Sequence, residues 1–401
     1  MNQELETAIR KLLAYCQRND WAGYEPYDVL NSKLFESPIL DRKLPRLVFT
    51  QLLKRSPINI RPLLGVPKTQ NPKALGLFLS AFVKLSETSM GSQDALADLM
   101  IGRLIALRSE SKYWSWGYNF PWQTRTVLVP RWHPNLVCTA FAADALVDLY
   151  EKRGDSRYLD MAVSAAEFML NELYWAEGKR AGFGYPLPQV RNQVHNANFL
   201  GAALFCRVYR HSGDERFLAP AMRVARYSAS QQHSDGGWAY GEASTQQWID
   251  NFHTGFNLSA LRTIGKYAET NEFEECVRRG FEFYRKYFFL ENGSVRYFHN
   301  RTYPLDTHCV AQSIITLTDL LDLDSGNLQL AQSVWRWAMD HMWDEHGYFY
   351  YRILRTCKIR TSYMRWTQAW MFLALCRLLH ASEQNGSPLQ EKSLAAVGVQ
   401  A

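Results

Sequence analysis

The chain has 401 residues, 47% hydrophobic and 14% aromatic, with 45 Lys and Arg against 39 Asp and Glu for a net charge of +6. That apolar content can bury a large core, which excludes a disordered chain, and so mild a charge without a basic run excludes nucleic acid as a partner. The polar opening Met1–Glu6 is unlike a signal peptide, no apolar stretch approaches the ~18 residues of a membrane helix, and the seven Cys form no C-x-x-C pair; a reduced, cytoplasmic protein without an integral membrane segment or structural zinc is expected.

Helical periodicity begins at 3–18, an amphipathic run. An irregular segment, 19–70, broken by Arg55-Ser56-Pro57 and Arg61-Pro62, leads to 72–87, which is apolar over more than one face, as a buried helix must be. Outer (amphipathic) and inner (apolar) runs then alternate: 92–108 and 134–151, 156–173 and 196–211, 215–232 and 252–268, 272–289 and 307–321, 327–342 and 366–381. Inner-to-outer links are short and repeat themselves, as in Arg153-Gly154-Asp155-Ser156-Arg157-Tyr158-Leu159 beside Ser212-Gly213-Asp214-Glu215-Arg216-Phe217-Leu218. Gly stops one helix in the left-handed conformation and Asp starts the next.

Outer-to-inner links are long: 109–132, 174–194, 233–250, 290–303 and 343–364. Period-two aromatic alternation at Tyr113–Tyr118 and His346–Tyr351 predicts β-hairpins there. Inner runs open at Asn71, His133, His195, Asn251, Pro304 and Arg365, at steps of 62, 62, 56, 53 and 61 residues. Such a period fits a helical hairpin, and six hairpins close into an all-α (α/α)6 barrel over residues 1–382, with 383–401 as a flexible tail.

All inner helices start at the long-loop end, so their polar first residues converge on one basin. His133, His195, Asn198, Asp250, His253, Asp306, His308, Arg365 and Gln368 are those residues. Caps alone explain Asp and Asn there, but not His on four elements. Asp250 with His253 and Asp306 with His308 form two acid/base pairs at short spacing, and neither has a metal-ligand spacing. No metal or cofactor is expected. Loop rings at Tyr118, Trp122, Tyr185, Tyr303 and Tyr363, with Trp238 and Glu242 on the rim, provide stacking and polar contacts. Guanidinium groups such as Arg125, Arg301 and Arg365 suit carboxylates. An oligo- or polysaccharide, anionic through uronic acid, satisfies both features.

The hairpin repeat with aromatic long loops resembles the six-hairpin, (α/α)6 glycan-active superfamily. Thr245–Gly255 and Arg365-Trp366-x-Gln368-Ala369-Trp370 are similar to uncharacterised proteins of bacterial exopolysaccharide and capsule clusters, distantly related to the C-terminal domain of D-glucuronyl C5-epimerases. The resemblance covers about residues 70–380 and implies an enzyme of polysaccharide biosynthesis or processing. Epimerase or lyase chemistry would use His195 and His253 as acid/base groups, a Tyr as phenolic alternative, and Asn198, Arg301 and Arg365 to hold the carboxylate. An inverting glycoside hydrolase would use Asp250 and Asp306. A glycan-binding protein without catalysis would keep these residues in structural hydrogen bonds. Gln232-x-x-x-Gly236-x-Trp238 also matches the repeat of squalene cyclases and prenyltransferases, but occurs once and without a D-x-D-D run.

Overall fold

The computed structural model describes residues 1–385. Its helices, in order, are α1 (Asn2–Arg18), α2 (Lys43–Arg55), α3 (Pro72–Leu85), α4 (Asp94–Ala106), α5 (Leu136–Arg153), α6 (Ser156–Phe168), α7 (His195–Ser212), α8 (Leu218–Ser230), α9 (Asn251–Tyr267), α10 (Glu274–Phe288), α11 (Thr307–Asp319), α12 (Asn327–Met342) and α13 (Trp370–Asn385). α3, α5, α7, α9, α11 and α13 pack in that order, and α13 closes on α3. The second ring is α4, α6, α8, α10 and α12, completed by α1 against α13. The fold is a closed (α/α)6 barrel.

Inner helices tolerate burial on every side because small residues let backbones approach. Gly76 on α3 and Gly255 on α9 lie where an added Cβ would sit 2.8 Å from the Phe141 carbonyl oxygen and 2.7 Å from Gln312 Cγ. Four inner helices carry a side-chain cap on their first free N–H groups: Asn71, Asn135, Asp250 and Asp306. The matched short links are as predicted, with Gly154 and Gly213 at φ +71° and +70°. Asp155 and Asp214 accept from the N–H two residues on.

The long loops carry β1 (Trp122–Gln123) paired with β2 (Leu128–Val129), and β3 (Tyr174–Glu177) with β4 (Arg180–Phe183). β5 (Leu305–Asp306) lies beside β8 (Arg352–Ile353) and β9 (Lys358–Ile359), and β6 (Trp343–Asp344) beside β7 (Tyr348–Phe349). The β6–β7 pair falls at the expected aromatic hairpin and turns through Gly347 at φ +88°. The other expected hairpin is displaced. Residues 113–118 form no strand; Trp116 and Trp114 instead pack on the core, and pairing occurs at 122–129.

Residues 19–70 are more regular than expected. They contain α2 and two single-turn 3-10 segments, Asp28–Asn31 and Lys33–Glu36, around a small core of Val29, Phe35 and Leu53. This segment lies on the long-loop face: Tyr24 bridges Tyr363, and Arg46 on α2 donates to Gln123 of β1 at 3.1 Å. Helix α13 continues to Asn385, past the expected start of the tail; residues 386–401 lie outside the described residues.

Candidate acid/base site at the long-loop face

Asp250 caps α9 through Oδ1, which accepts from the His253 N–H at 3.0 Å. Its Oδ2 accepts from Trp248 Nε1 at 2.9 Å and lies 2.8 Å from His253 Nδ1. Three donors on a buried carboxyl fix its orientation. A carboxylate at Nδ1 requires the proton there, which leaves Nε2 as the basic nitrogen. His253 Nε2 makes no hydrogen bond among the described residues, and the side chain is 21% exposed. The ring contacts Tyr240 at 4.6 Å, and Tyr240 stacks on Trp248 at 4.6 Å and 13°. The imidazole is thus held by an orienting carboxylate against an aromatic ring.

Asp306 is differently placed. Oδ1 accepts from the His308 N–H at 2.9 Å and Trp366 Nε1 at 3.0 Å, while Oδ2 accepts from Arg352 Nε at 2.7 Å. Fully buried and saturated by donors, it has no oxygen free for a substrate. Of the expected Asp250/Asp306 pair, both carboxyls are engaged in holding other groups. His308 is buried between Phe252 at 4.5 Å and Trp370 at 4.7 Å, with neither ring nitrogen hydrogen-bonded among the described residues. Burial, then Lys73 and Arg365, hold it well below the ordinary His pKa.

His195 begins α7 and is buried, with Nδ1 3.3 Å from Ser228 Oγ. Burial pushes its pKa down to about 4, so it is neutral and away from the basin's surface. A depressed base loses stability as pH falls from its unfolded value near 6.5 towards 4. Denaturant unfolding at pH 7 and pH 5 is expected to show a loss of about 2 kcal/mol from this group, flattened in His195→Gln. Equal pH dependence in both proteins would refute it.

The remaining candidates divide. Asn198 is structural: its amide oxygen accepts from the Phe183 N–H at 3.1 Å and its nitrogen donates to Ser228 at 3.0 Å. Gln368 clamps both backbone groups of Phe349 at 2.9 and 2.8 Å. Tyr363 is buried against Tyr351 and Arg61. Trp238, expected on the rim, is buried, its Nε1 donating to the Ser228 carbonyl at 3.1 Å; Gln232 binds the Gly236 and Cys276 carbonyls at 2.9 Å. The Q-x-x-x-G-x-W match thus fastens the end of α8 to α10. Glu242 accepts from Tyr227 and from Arg180 at 3.0 Å.

Tyr118 is buried, stacked on Phe120 at 5.3 Å and lying 5.1 Å from Arg365. Trp122 and Tyr185 are half-buried neighbours at 6.4 Å, and His133 is half-buried with its pKa lowered by burial. Arg125 and Tyr303 are exposed, and Arg301 is exposed over the Phe298 ring at 4.0 Å. Arg125, Arg131, Arg191, Arg301, Arg355 and Arg360 are all exposed and enter no ion pair among the described residues. Arg365, by contrast, is buried and committed: its Nε donates to Glu25 Oε1 at 3.0 Å and its Nη2 lies 2.7 Å from Oε2.

Glu25 shows what sequence reasoning missed. It comes from 19–70, so that segment reaches into the mouth. Burial raises its carboxyl to about 7 despite the Arg365 charge. Beside it, Tyr27 sits 6.0 Å from Trp366 and takes a 2.6 Å hydrogen bond from Lys54 Nζ on α2. Burial pushes the Tyr27 hydroxyl up, but Lys54, Arg352 and Arg365 bring it below its ordinary value. Burial first, then Tyr185, Asp250 and Tyr27, raise the Tyr240 hydroxyl well above its ordinary value. Lys73, buried 4.0 Å from the Phe141 ring, is held well below its ordinary value by burial and then Arg365. Within 19–70, Glu25 and Tyr27 belong to the aromatic run Trp21–Asp28.

A cavity of about 800 Å³ opens at the opposite, short-turn end, floored by Phe141, Phe256 and Trp370. Part of its wall is an ion-pair cluster: Arg207 lies 3.1, 2.8 and 3.2 Å from Asp144, Asp148 and Glu151. The unpaired acid/base nitrogen is at the other end, on His253.

No protein-family model matches this chain, and no curated protein matches it significantly. Solved structures do. A sugar epimerase from a ruminal bacterium matches at TM-score 0.59 and 14% identity over 80% of this chain and 90% of its own. Cellobiose 2-epimerase from Bacillus thermoamylovorans matches at 0.61 and 13% over 80% and 90%. An unsaturated glucuronyl hydrolase specific for heparin matches at 0.62 and 11% over 97% and 98%. The fold is the one these glycan-active enzymes share. The comparisons give no sequence-level link to capsule-cluster proteins or C5-epimerases, so that resemblance stands on the two segments quoted for it.

Proposed function

We propose that the protein is a carbohydrate-active enzyme that abstracts a proton from an acidic, uronate-containing glycan at the long-loop face. The Asp250–His253 dyad carries this reading: a buried carboxylate fixes the imidazole, and the opposite nitrogen is left free beside Tyr240 and Trp248. The shared fold of sugar epimerases and glycosidases supports the substrate class. The unpaired arginines of the loops favour an anionic glycan over a neutral one. Epimerase or lyase chemistry fits better than hydrolysis, because Asp306 is not free to act as the second carboxyl.

In this reading His253 Nε2 removes the C5 proton beside the uronate carboxylate, and an arginine such as Arg301 takes up the charge that develops there. For epimerisation, Tyr27 returns a proton to the other face, with Lys54 beside it to stabilise the phenolate; for elimination, the leaving oxygen takes that proton. Incubation with uronic-acid polymers in deuterated water is expected to place deuterium at C5 or yield an unsaturated, ultraviolet-absorbing end. New reducing ends without either change would overturn the proposal in favour of hydrolysis. No change in any uronate polymer would overturn it in favour of binding alone.

A further inference from the structure

Helix α2 is apolar on two sides. Phe49 and Leu53 face the small core of the 19–70 segment, while Leu44, Val48 and Leu52, spaced by four, point outward at 71%, 45% and 60% exposure. The same segment exposes Leu34, Ile39, Ile58 and, at 87%, Leu63. Seven of the thirteen large hydrophobics exposed among the described residues therefore fall within 34–63, a concentration that single scattered surface residues do not produce.

The charges around this patch are one-sided. Lys33, Arg42, Lys43 and Arg55 are exposed and make no ion pair among the described residues, whereas Asp41 is taken by Arg46 at 2.6 Å. Glu36 is the exposed acid left in the segment's first half. A second copy of the chain would set four cations against the same four across a two-fold axis, which opposes self-association. Aliphatic side chains in a helical stripe with flanking Lys and Arg match an anionic lipid surface instead: the chains enter the acyl boundary and the cations meet the headgroups.

We infer that residues 34–63 form a membrane-docking surface for anionic lipid, with α2 lying in the plane of the interface. No helix among the described residues is long and apolar enough to cross a bilayer, so this is attachment to one leaflet. Through the Lys54–Tyr27 and Arg46–Gln123 contacts, docking turns the long-loop face towards the lipid. The inference stands on surface chemistry and does not depend on the proposed reaction.

Sedimentation of the full chain with phosphatidylcholine vesicles, with and without phosphatidylglycerol, tests it. Binding is expected only with phosphatidylglycerol, falling about fivefold for each of Lys33→Gln, Arg42→Gln, Lys43→Gln and Arg55→Gln. A Leu44→Ser/Val48→Ser/Leu52→Ser variant is expected to lose binding, while Ile105→Ser, an exposed aliphatic on α4, retains it. The docking variants should leave the melting temperature nearly unchanged, because their side chains are already in water. Absence of binding, equal binding to phosphatidylcholine alone, or retention by the triple variant would overturn the inference. So would a dimer in sedimentation velocity that the triple variant dissolves.

Discussion

Glu25→Ala is expected to lower the unfolding free energy by about 3–5 kcal/mol, the largest stability effect of any single change considered. The reason lies in what remains. Arg365 is buried within the barrel mouth, near Tyr118, Phe120 and Trp366, and Glu25 is its hydrogen-bonding partner and, once ionised above about pH 7, its counter-charge. Removing the carboxyl leaves a guanidinium without a partner in a medium that solvates it poorly. Glu25→Gln keeps the volume and a hydrogen-bond acceptor, and should cost less than Ala. Replacing both partners, as in Glu25→Leu/Arg365→Met, should recover most of the loss, because two desolvation costs disappear together. Denaturant titration of the three variants at one pH distinguishes these outcomes; a loss under about 1 kcal/mol for Glu25→Ala would refute the account.

The same pair sets a pH dependence opposite in sign to that of His195. Burial raises the Glu25 carboxyl to about 7, above its unfolded value of 4.5. The folded state therefore holds this proton more strongly than the unfolded chain. Its contribution is fullest below pH 4.5 and declines as pH rises through 7, whereas the His195 contribution falls with acid. The two slopes oppose each other between pH 4.5 and 6.5. Glu25→Gln removes one and exposes the other.

The barrel was legible because its determinants are local. All-round apolarity marks the inner helices, a repeated Gly-Asp link marks the short turns, and Asn or Asp at the starts of α3, α5, α9 and α11 supplies caps. The site was only partly legible because side-chain commitments are long-range. Asp250 and Asp306 look alike in sequence, each capping a helix with a His close behind. They differ because Arg352, forty-six residues on, and Trp366, sixty on, occupy Asp306. Asp250 meets a local Trp248 and its own His253, and so orients a ring that remains reachable. Likewise Arg365 carries the same residue type as Arg301, yet Glu25, 340 positions away, has claimed it. Helix starts reveal which residues face the basin; which of them are free depends on partners that no short window contains.

His253→Ala is expected to reduce turnover of a uronate glycan by about 10²–10⁴-fold, the usual contribution of a positioned base. The more telling variant is Asp250→Asn. Asparagine caps a helix about as well as aspartate, so α9 should keep its first turn and the melting temperature should move little. What it loses is the charge beside His253 Nδ1 and the acceptor that fixes the ring's tautomer. A purely structural Asp250 therefore predicts unchanged activity in Asp250→Asn. A dyad predicts a large fall in kcat, with the acidic limb of the pH–rate dependence of kcat/KM altered and KM nearly unchanged. Removing the exposed stacking surface in Trp248→Ala supplies the converse pattern, with weaker substrate binding and a smaller change in kcat, although its Nε1 bond to Asp250 is lost as well. Should His253→Ala and Asp250→Asn both retain full C5 exchange, the base must lie elsewhere at the mouth, and the Tyr27–Lys54 pair becomes the position to vary next.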